Sequence, residues 1–303
     1  MGVEAHLLAR PLRSLVETPA FSGPRESPML FSLFHETLYR YAAPIWLGTH
    51  VIRLNPRLER ARVISRSLVI EPIPVALRDV TDAYGNLVTQ ADFSGACNQL
   101  RIVSQFELEQ ADYPPPGAMG VPPLPWPPNG DEAAYLPDTA IDPAVGAYAA
   151  RIAAEVGSNA PAFLDRLNQR LYADFDHHIR DVGHAYAPAE TLALGKGACR
   201  DLTLLFLACC RSVGVPARFV SGYQSQADTP DGRRHLHAWP EALLPGVGWR
   251  GYDPTHGVTV ADGHVALCVA PVQAATMPVE GGYFGPAVES TLTYDIRIAT
   301  RRA

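Results

Sequence analysis

The sequence predicts an α+β fold, with an antiparallel β domain first and a region of helices followed by a second antiparallel sheet after it. Three observations carry this prediction. Strand patterns and turn signals fill residues 31–109, a proline-rich segment follows, and helical periodicity then precedes several short strand-like runs. A chain of 303 residues is long enough for two domains.

Composition narrows the function classes. Hydrophobic residues make up 47% of the chain and charged residues 18%, which is typical of a folded protein. A formal net charge of −6 argues against a nucleic-acid partner, because such proteins concentrate lysine and arginine on one surface. We therefore expect a folded protein that binds no nucleic acid.

The first residues and the cysteines indicate the cellular compartment of the protein. Residues 1–29 contain no apolar stretch long enough for a signal-peptide core or a membrane span, so we expect a flexible leader and no membrane partner. The five cysteines are an odd number without a secretory signal, which disfavours a disulfide framework. A cytoplasmic location is the resulting prediction.

Residues 30–111 are predicted to form the N-terminal β domain. In "QLRIVSQFELE", Leu100, Ile102 and Phe106 fall on one face and polar residues on the other, the pattern of a half-buried strand. The segment "DAYGNLV" places Gly85 and Asn86 between two strand-like runs, and both residue types tolerate the positive φ of a hairpin turn.

A connection is predicted at residues 112–140. Its first nineteen residues, "DYPPPGAMGVPPLPWPPNG", contain eight prolines and three glycines, which fit neither a helix nor a central strand. Such a segment can be a ligand for an aromatic-lined groove, but between two folded regions it is more often a semi-rigid spacer.

Residues 141–303 are predicted to form the helical region with its C-terminal strands. Asp142 and Pro143 form an N-cap and a first-turn proline, and "PAFLDRLNQRLYADF" has apolar residues at four-residue spacing. The helix after Cys199 is apolar on all sides, as buried helices are, and Gly214 ends it. The strand-like runs "ARFVSGY", "HLHAWPEALL", "GWRGYDP" and "HVALCVA" follow.

Cys199 lies where the loop "GKGA" enters the buried helix. The free N–H groups of a first helical turn favour a thiolate there. A free thiol is only about 3% ionised at pH 7, and a neighbouring imidazolium would lower its pKa further. The position therefore predicts a reactive cysteine with a histidine partner.

A histidine and an aspartate are expected to lie together on a hairpin. His237 and Asp253 are each eight residues from Pro245, so strands folded near that residue place them opposite or nearly opposite each other on one face. With Cys199 they provide the nucleophile, the base and the orienting carboxylate of an acyl-transfer triad. His235 is the rival base because it points to the same face.

These motifs resemble the bacterial transglutaminase-like superfamily. The segments "GKGACRDLTLLFLACCRSVGVPARFVSGY", "HAWPEALLPGVGWRGYDPT" and "HVALCVAP" are similar to its core, and "HETLYRYAAPIWLGTHVIRLNPR" with "DAYGNLV" is similar to the β-rich region that precedes it. The resemblance implies a papain-like α+β core with Cys199, His237 and Asp253 as the catalytic triad. Its bacterial members look more like cysteine peptidases than crosslinking enzymes.

The implied reaction is attack of the Cys199 thiolate on an amide carbonyl, with a thioester intermediate that water or an amine resolves. The Cys199 backbone N–H is a candidate oxyanion donor at the helix start. Many relatives have glutamine where this chain has Arg200, which either supports the thiolate, binds an anionic substrate group or pairs with an acid such as Asp201. No EF-hand loop is present, so no calcium requirement is expected.

The other candidates have plainer interpretations. Cys209 and Cys210 lie about three turns, roughly 15 Å, beyond Cys199 on the helix, so they are expected to be packing residues like Cys97 and Cys268. The loop "DFDHHIRDVGH" at 174–184 could hold a metal through Asp174, His177, His178 or His184, or could line a substrate cleft, but its spacing fits no particular metal geometry. His256 is expected to be a turn residue. We expect no cofactor and no metal.

Three functions remain open at this point. The first is a thiol-dependent amidase or peptidase with a peptide or protein substrate. The second is transamidation of protein glutamine to an amine acceptor. The third is a catalytically idle scaffold that binds a partner through its β domain or its proline-rich connection. The sequence does not predict an oligomeric state.

Overall fold

The computed structural model describes residues 28–110, 121–127, 130–136, 140–180, 184–225, 229 and 231–302. The predicted leader lies outside the described residues except for its last two positions, and the proline-rich connection is described only in part. In these residues six strands come first, four helices follow with two short strands between them, and further strands come after the last helix, which confirms the α+β class.

The regular elements are numbered in chain order. The strands are β1 Met29–Leu47, β2 His50–Ile52, β3 Ala61–Glu71, β4 Ala76–Thr81, β5 Leu87–Asp92, β6 Cys97–Gln110, β7 Asp176–His177, β8 Lys196–Gly197, β9 Ala217–Gln224, β10 His237–Leu244, β11 Gly248–Asp253, β12 Val258–Thr259, β13 His264–Ala270, β14 Val279–Glu280, β15 Tyr283–Phe284 and β16 Ser290–Arg302. The helices are α1 Pro143–Glu155, α2 Ala160–Ala173, α3 Pro188–Leu194 and α4 Cys199–Ser212. Short 3₁₀ turns occupy Gly130–Tyr135 and Gln273–Thr276.

The N-terminal region is built from two antiparallel sheets. One has the order β15-β1-β6-β3 with β16 also paired to β1, and the other has the order β14-β2-β5-β4. The alternation predicted for β6 is confirmed, since Leu100, Ile102 and Phe106 are buried while Gln105 is exposed. The predicted hairpin joins β4 to β5, and Gly85 has the positive φ of +77° that its turn requires.

The first and last strands of the described chain pair with each other. Strand β16 runs antiparallel to β1, with Thr37 opposite Tyr294 and Tyr39 opposite Leu292. The sequence grouped the C-terminal strands with the helical region, whereas this last strand extends the N-terminal sheet. The domain boundaries at residues 111 and 141 stay predictions.

In the second region, α4 and α2 pack against an antiparallel sheet of order β12-β11-β10-β9-β13, and α1 packs on α4 and α2. Helix α1 begins at Pro143 with the predicted N-cap, because the Asp142 carboxylate accepts the Ala144 N–H at 2.8 Å. Helix α4 lies at the centre, and Leu202, Leu205 and Phe206 are fully buried on it. Its central position fixes the point from which Cys199 projects.

The two regions share a hydrophobic core. Phe31 and Phe106 of the N-terminal sheet pack in one cluster with Tyr223 and Val265 of the second sheet. Two buried hydrogen bonds also join the regions: the Asn86 side chain donates to the Val269 carbonyl at 2.8 Å and accepts a hydrogen bond from the Val269 N–H at 2.9 Å. Sequence assigned Asn86 only to a turn, yet its amide also joins the β4–β5 hairpin to β13.

Candidate active site

The loop before α4 places Cys199 at the first residue of the helix, as predicted. Gly195 ends α3 with a φ of +61°, a conformation that favours glycine. A side chain at Gly197 would come within 2.9 Å of the Asp201 Cβ. The Asp201 carboxylate in turn accepts the Ala198 N–H at 2.8 Å, which satisfies one free donor at the helix start.

Asp201 is a fully buried anchor for the cleft wall. Its carboxylate receives both the Arg180 guanidinium, at 2.7 and 3.0 Å, and the Tyr186 N–H, at 2.8 Å. Arg180 also lies over the Tyr186 ring, 3.8 Å from its centroid. Arg200 donates to the Arg180 carbonyl at 2.7 Å, so it braces the backbone of the same loop.

The Cys199 thiol contacts the His237 side chain and the Ala238 backbone N–H. Burial raises the pKa of Cys199, but the hydrogen bond to His237, the charge of that ring and the Ala238 N–H together outweigh it. The net pKa of the thiol is therefore below its ordinary value of 9.0. The thiolate of Cys199 is therefore favoured relative to that of an ordinary cysteine.

His237 lies between the thiol and a buried carboxylate. Its Nε2 donates to the Asp253 Oδ2 at 2.8 Å, which leaves Nδ1 for Cys199. Burial lowers the pKa of His237, but the Asp253 charge and hydrogen bond and the contact with Cys199 raise it to about 10. The site therefore favours an imidazolium that lies between the Asp253 carboxylate and the Cys199 sulfur.

The hairpin that joins these residues differs slightly from the predicted one. Leu244 pairs with Gly248 and Glu241 with Gly251, so the turn is centred on Gly246 rather than Pro245. Continuing this register places Asp253 level with Trp239, two residues along from His237 on the same face. The expected shared face is present, and the pair is diagonal because the turn is centred one residue later.

Two further histidines converge on Asp253. His256 Nδ1 lies 2.8 Å and His264 Nε2 lies 3.0 Å from the same Oδ2, while the Thr255 N–H donates to Oδ1 at 3.1 Å. Burial opposes ionisation of Asp253, but His237 and these donors hold its pKa well below the ordinary range. The carboxylate is completely buried and is stabilised as an anion by four N–H groups.

Sequence reasoning missed the side-chain roles of His256 and His264. His256 is a turn residue as expected, with its N–H on the Asp253 carbonyl at 3.2 Å, but its ring also enters the site. His264 begins β13 and lies at the same end of the sheet as the start of β10 and the end of β11. The available signal was the number of histidines near "YDPTHG", which does not by itself specify contacts.

A metal is the alternative use of this cluster. In the part of the chain that the structure describes, His237, Asp253 and His256 form one group whose ligand atoms lie within 4.8 Å of one another. Asp253 Oδ2 is 2.8 Å from both ring nitrogens, which is hydrogen-bond distance. Tetrahedral zinc, with bonds of about 2.0 to 2.2 Å, would hold these atoms roughly 3.3 to 3.6 Å apart. The observed spacing therefore fits hydrogen bonds better than a zinc ion.

The rival residues serve other contacts. His235 bonds the Tyr294 hydroxyl at 2.7 Å and the Asp231 carboxylate at 2.9 Å rather than taking the position of His237. His177 contacts the Tyr172 carbonyl at 3.1 Å, and residues 181–183 of the same predicted loop lie outside the described residues.

The remaining cysteines do not share the environment of Cys199. All five are free thiols. Cys209 and Cys210 are fully buried on α4, and burial raises the pKa of both. Burial also raises the pKa of Cys97 and Cys268, the latter to about 12. Only Cys199, among these five, has a lowered pKa.

Cys199 and His237 open into a cleft of about 350 Å³ between the two regions. One side is the α4 start with residues 177–180, and the other is the face of β1 and β16 together with residues 277–279. The cleft volume is within the range of about 300 to 1,000 Å³ typical of small-ligand sites. A substrate bound there would touch both regions.

Comparison with known proteins agrees with this architecture. Residues 146–254 match the transglutaminase-like superfamily, and residues 31–109 match the bacterial transglutaminase-like N-terminal region. The chain belongs to the transglutaminase-like superfamily. The predicted resemblance and the predicted fold, a papain-like core preceded by an antiparallel β domain, are thereby confirmed.

Relatives of this transglutaminase-like chain extend over most of its length. The uncharacterized protein Rv2569c of Mycobacterium tuberculosis is 25% identical over 311 residues, which covers 92% of this chain and 95% of that protein. The uncharacterized protein ML0607 of Mycobacterium leprae is 26% identical over 83% of this chain and 92% of its own length. A solved structure from Cytophaga hutchinsonii, named as a candidate cysteine protease, has a TM-score of 0.70 at 18% identity and covers 91% of this chain and 92% of that chain. At this identity the likeness shows the fold.

None of the helices in the described ranges is long and apolar enough to cross a membrane.

Proposed function

We propose that this transglutaminase-like protein is a thiol-dependent hydrolase of peptide or isopeptide amide bonds, with Cys199, His237 and Asp253 as its catalytic residues. The observation that carries the proposal is the continuous contact from the thiol through His237 to the buried Asp253 carboxylate, open to a cleft. A lowered thiol pKa beside a protonated histidine is what nucleophilic catalysis requires.

In the first half of the reaction, the Cys199 thiolate attacks the amide carbonyl carbon and forms a tetrahedral oxyanion. The backbone N–H of Cys199, in the first turn of α4, is a candidate donor to that oxygen. The C–N bond then breaks while His237 gives its proton to the leaving amine. A thioester on Cys199 and a neutral His237 remain.

In the second half, water attacks the thioester carbonyl. Neutral His237 accepts the proton that water loses, the carbon–sulfur bond breaks and the carboxylic acid product leaves. The thiolate and the imidazolium are restored. Asp253 stays anionic throughout and orients the ring, because its four donors disfavour protonation.

The charge of the cleft supports water over an amine as the acceptor. Among the described residues that line it, none is aspartate or glutamate, and the arginines are Arg200 and Arg180, the latter paired with the buried Asp201. Lysine and polyamine acceptors are cationic at neutral pH, so this lining does not attract them. Transamidation remains the alternative outcome of the same thioester.

An idle scaffold is the third candidate. The lowered pKa of Cys199 argues against it, because a packing cysteine in an apolar setting has a raised pKa, as Cys209 does. The role of the β domain as a cleft wall and the cytoplasmic location are further parts of this proposal.

The proposal is tested by incubating the protein with a peptide pool and following new carboxyl termini by mass spectrometry in ¹⁸O-labelled water. Hydrolysis incorporates one ¹⁸O into the acyl product, whereas transamidation to an added amine does not. Cys199→Ala should abolish product formation and Cys209→Ala should retain it. Equal losses in the two variants would contradict the assignment of Cys199.

A further inference from the structure

We infer that the acyl donor presents a large apolar side chain close to its scissile carbonyl, and that this side chain binds against the strand wall of the cleft. The strand wall is the face of β1 and β16 formed by His35, Thr37, Tyr39, Leu292, Tyr294 and Ile296. The inference rests on the proposed function and adds the substrate class.

The pairing of the first and last strands builds this wall. Odd-numbered residues of β1 and even-numbered residues of β16 share one face, because side chains alternate along a strand. Tyr39 lies opposite Leu292 and His35 opposite Ile296 in the register. These rows line the same cleft as Cys199, so an acyl group bound on Cys199 would lie in the cleft that they bound.

The polar groups of His35, Thr37 and Tyr294 on the strand wall are already paired within the protein. His35 bonds the Tyr223 hydroxyl at 2.7 Å and the Thr37 hydroxyl at 3.1 Å, and Tyr294 bonds His235 at 2.7 Å. Burial lowers the pKa of His35 to about 4 despite the opposing charge of Asp295, so the ring is neutral at pH 7. The wall therefore offers the substrate mainly carbon surface.

Large apolar side chains are exposed along the cleft on several sides. Leu292 is 53% exposed on the strand wall, Met277 is 45% exposed beside it, and Ile179 is 38% exposed on the facing side. Binding of a ligand that removes apolar surface of this kind from water is favourable. A charged side chain in the same place would lose hydration without gaining an oppositely charged partner on the wall.

Peptide binding to the Cys199→Ala protein tests the inference without requiring catalysis. The probes are fluorescein-labelled peptides Gly-Gly-Xaa-Gly-Gly with Xaa as leucine, phenylalanine, glutamate or lysine, and the readout is fluorescence anisotropy. One well-buried apolar side chain discriminates by about ten- to a hundredfold. We therefore expect the leucine and phenylalanine peptides to bind at least about tenfold more tightly than the other two.

Leu292→Asp in the same background should remove this preference. The matched control is Leu77→Asp, since Leu77 is 51% exposed on strand β4, outside the cleft. If Leu292→Asp fails to fold, Ile179→Asp tests the facing side from a loop. A flat peptide series, or equal effects of the cleft variants and Leu77→Asp, would overturn the inference.

Failure of the proposed function would look different. A wild-type protein that binds apolar peptides selectively but cleaves no amide, ester or thioester would retain the binding site and refute the hydrolase.

Discussion

Replacing Asp253 with asparagine tests the electrostatics of the site most sharply. Asp253 and Cys199 together raise the pKa of His237 from 6.5 to about 10 against the effect of burial, and the Asp253 charge is the largest of the raising contributions. The net shift corresponds to roughly 5 kcal/mol in favour of the imidazolium. Asparagine has a similar shape but no charge. The pKa of His237 should then fall, because burial still opposes its charge, and the thiolate should lose its counter-ion.

The expected change in alkylation rate follows from the ionised fraction of the Cys199 thiol. At its ordinary pKa of 9.0 a cysteine is about 0.1% ionised at pH 6, so loss of the ion pair should slow alkylation at that pH, and about a thousandfold is the slowing expected from a fully ionised thiol. The assay is the rate of iodoacetamide labelling of Cys199 from pH 5 to 10, followed by peptide mass spectrometry. In the wild-type protein the rate should already be high below the ordinary thiol range.

The pH dependence has a defined sign. The thiolate forms above the lowered pKa of Cys199, and the imidazolium persists until the pH rises through about 10. The ion pair therefore exists at pH values between the pKa of Cys199 and the pKa of His237. Asp253→Asn should narrow this pH range, because it raises the lower limit and lowers the upper one. Asp262→Asn is the control, because Asp262 is also buried but pairs with Arg302 at 3.0 Å. An unchanged labelling profile in Asp253→Asn would refute the reasoning.

Three further substitutions test parts of the same account. His264→Asn removes one of the four donors to Asp253, which takes about 1 to 3 kcal/mol of stabilisation from the carboxylate anion. Because the carboxylate then becomes easier to protonate, the acid limb of the labelling profile should shift to higher pH. A shift to lower pH would contradict this. Asp201→Asn should lower the free energy of unfolding by about 3 kcal/mol in urea titrations, because it leaves the partly buried Arg180 without its anion. A change within about 0.5 kcal/mol would show that the ion pair is dispensable. Cys209→Ala should leave the labelling rate of Cys199 within about twofold while costing about 1 kcal/mol of stability, and a large loss of labelling would mean that the two thiols are coupled.

The sequence predicted the features that depend on local signals. The start of α4 at Cys199 follows from the preceding glycines and the apolar run after it, and the shared face of His237 and Asp253 follows from two short strands joined by a tight turn. These signals lie within about twenty residues of the groups they position. Local periodicity is sufficient for them.

Features that depend on distant pairing were not predictable in the same way. The pairing of β16 with β1 joins residues more than two hundred positions apart, and the alternation of apolar and polar residues in a strand does not specify which other strand pairs with it. His264 meets Asp253 only because β13, after pairing with β9, begins at the same end of the sheet. Asn86 looked like a turn residue because its contact with Val269 requires the two regions to be packed together.

The most direct test of the central claim is to trap the acyl-enzyme. The protein is quenched in acid during turnover of the peptide pool and digested, and each of the five cysteine-containing positions is examined by mass spectrometry for a thioester. We expect an acyl group on Cys199, lost on treatment with hydroxylamine and absent from Cys199→Ala. Turnover with no thioester on Cys199, or with one on another cysteine, would contradict the proposed mechanism.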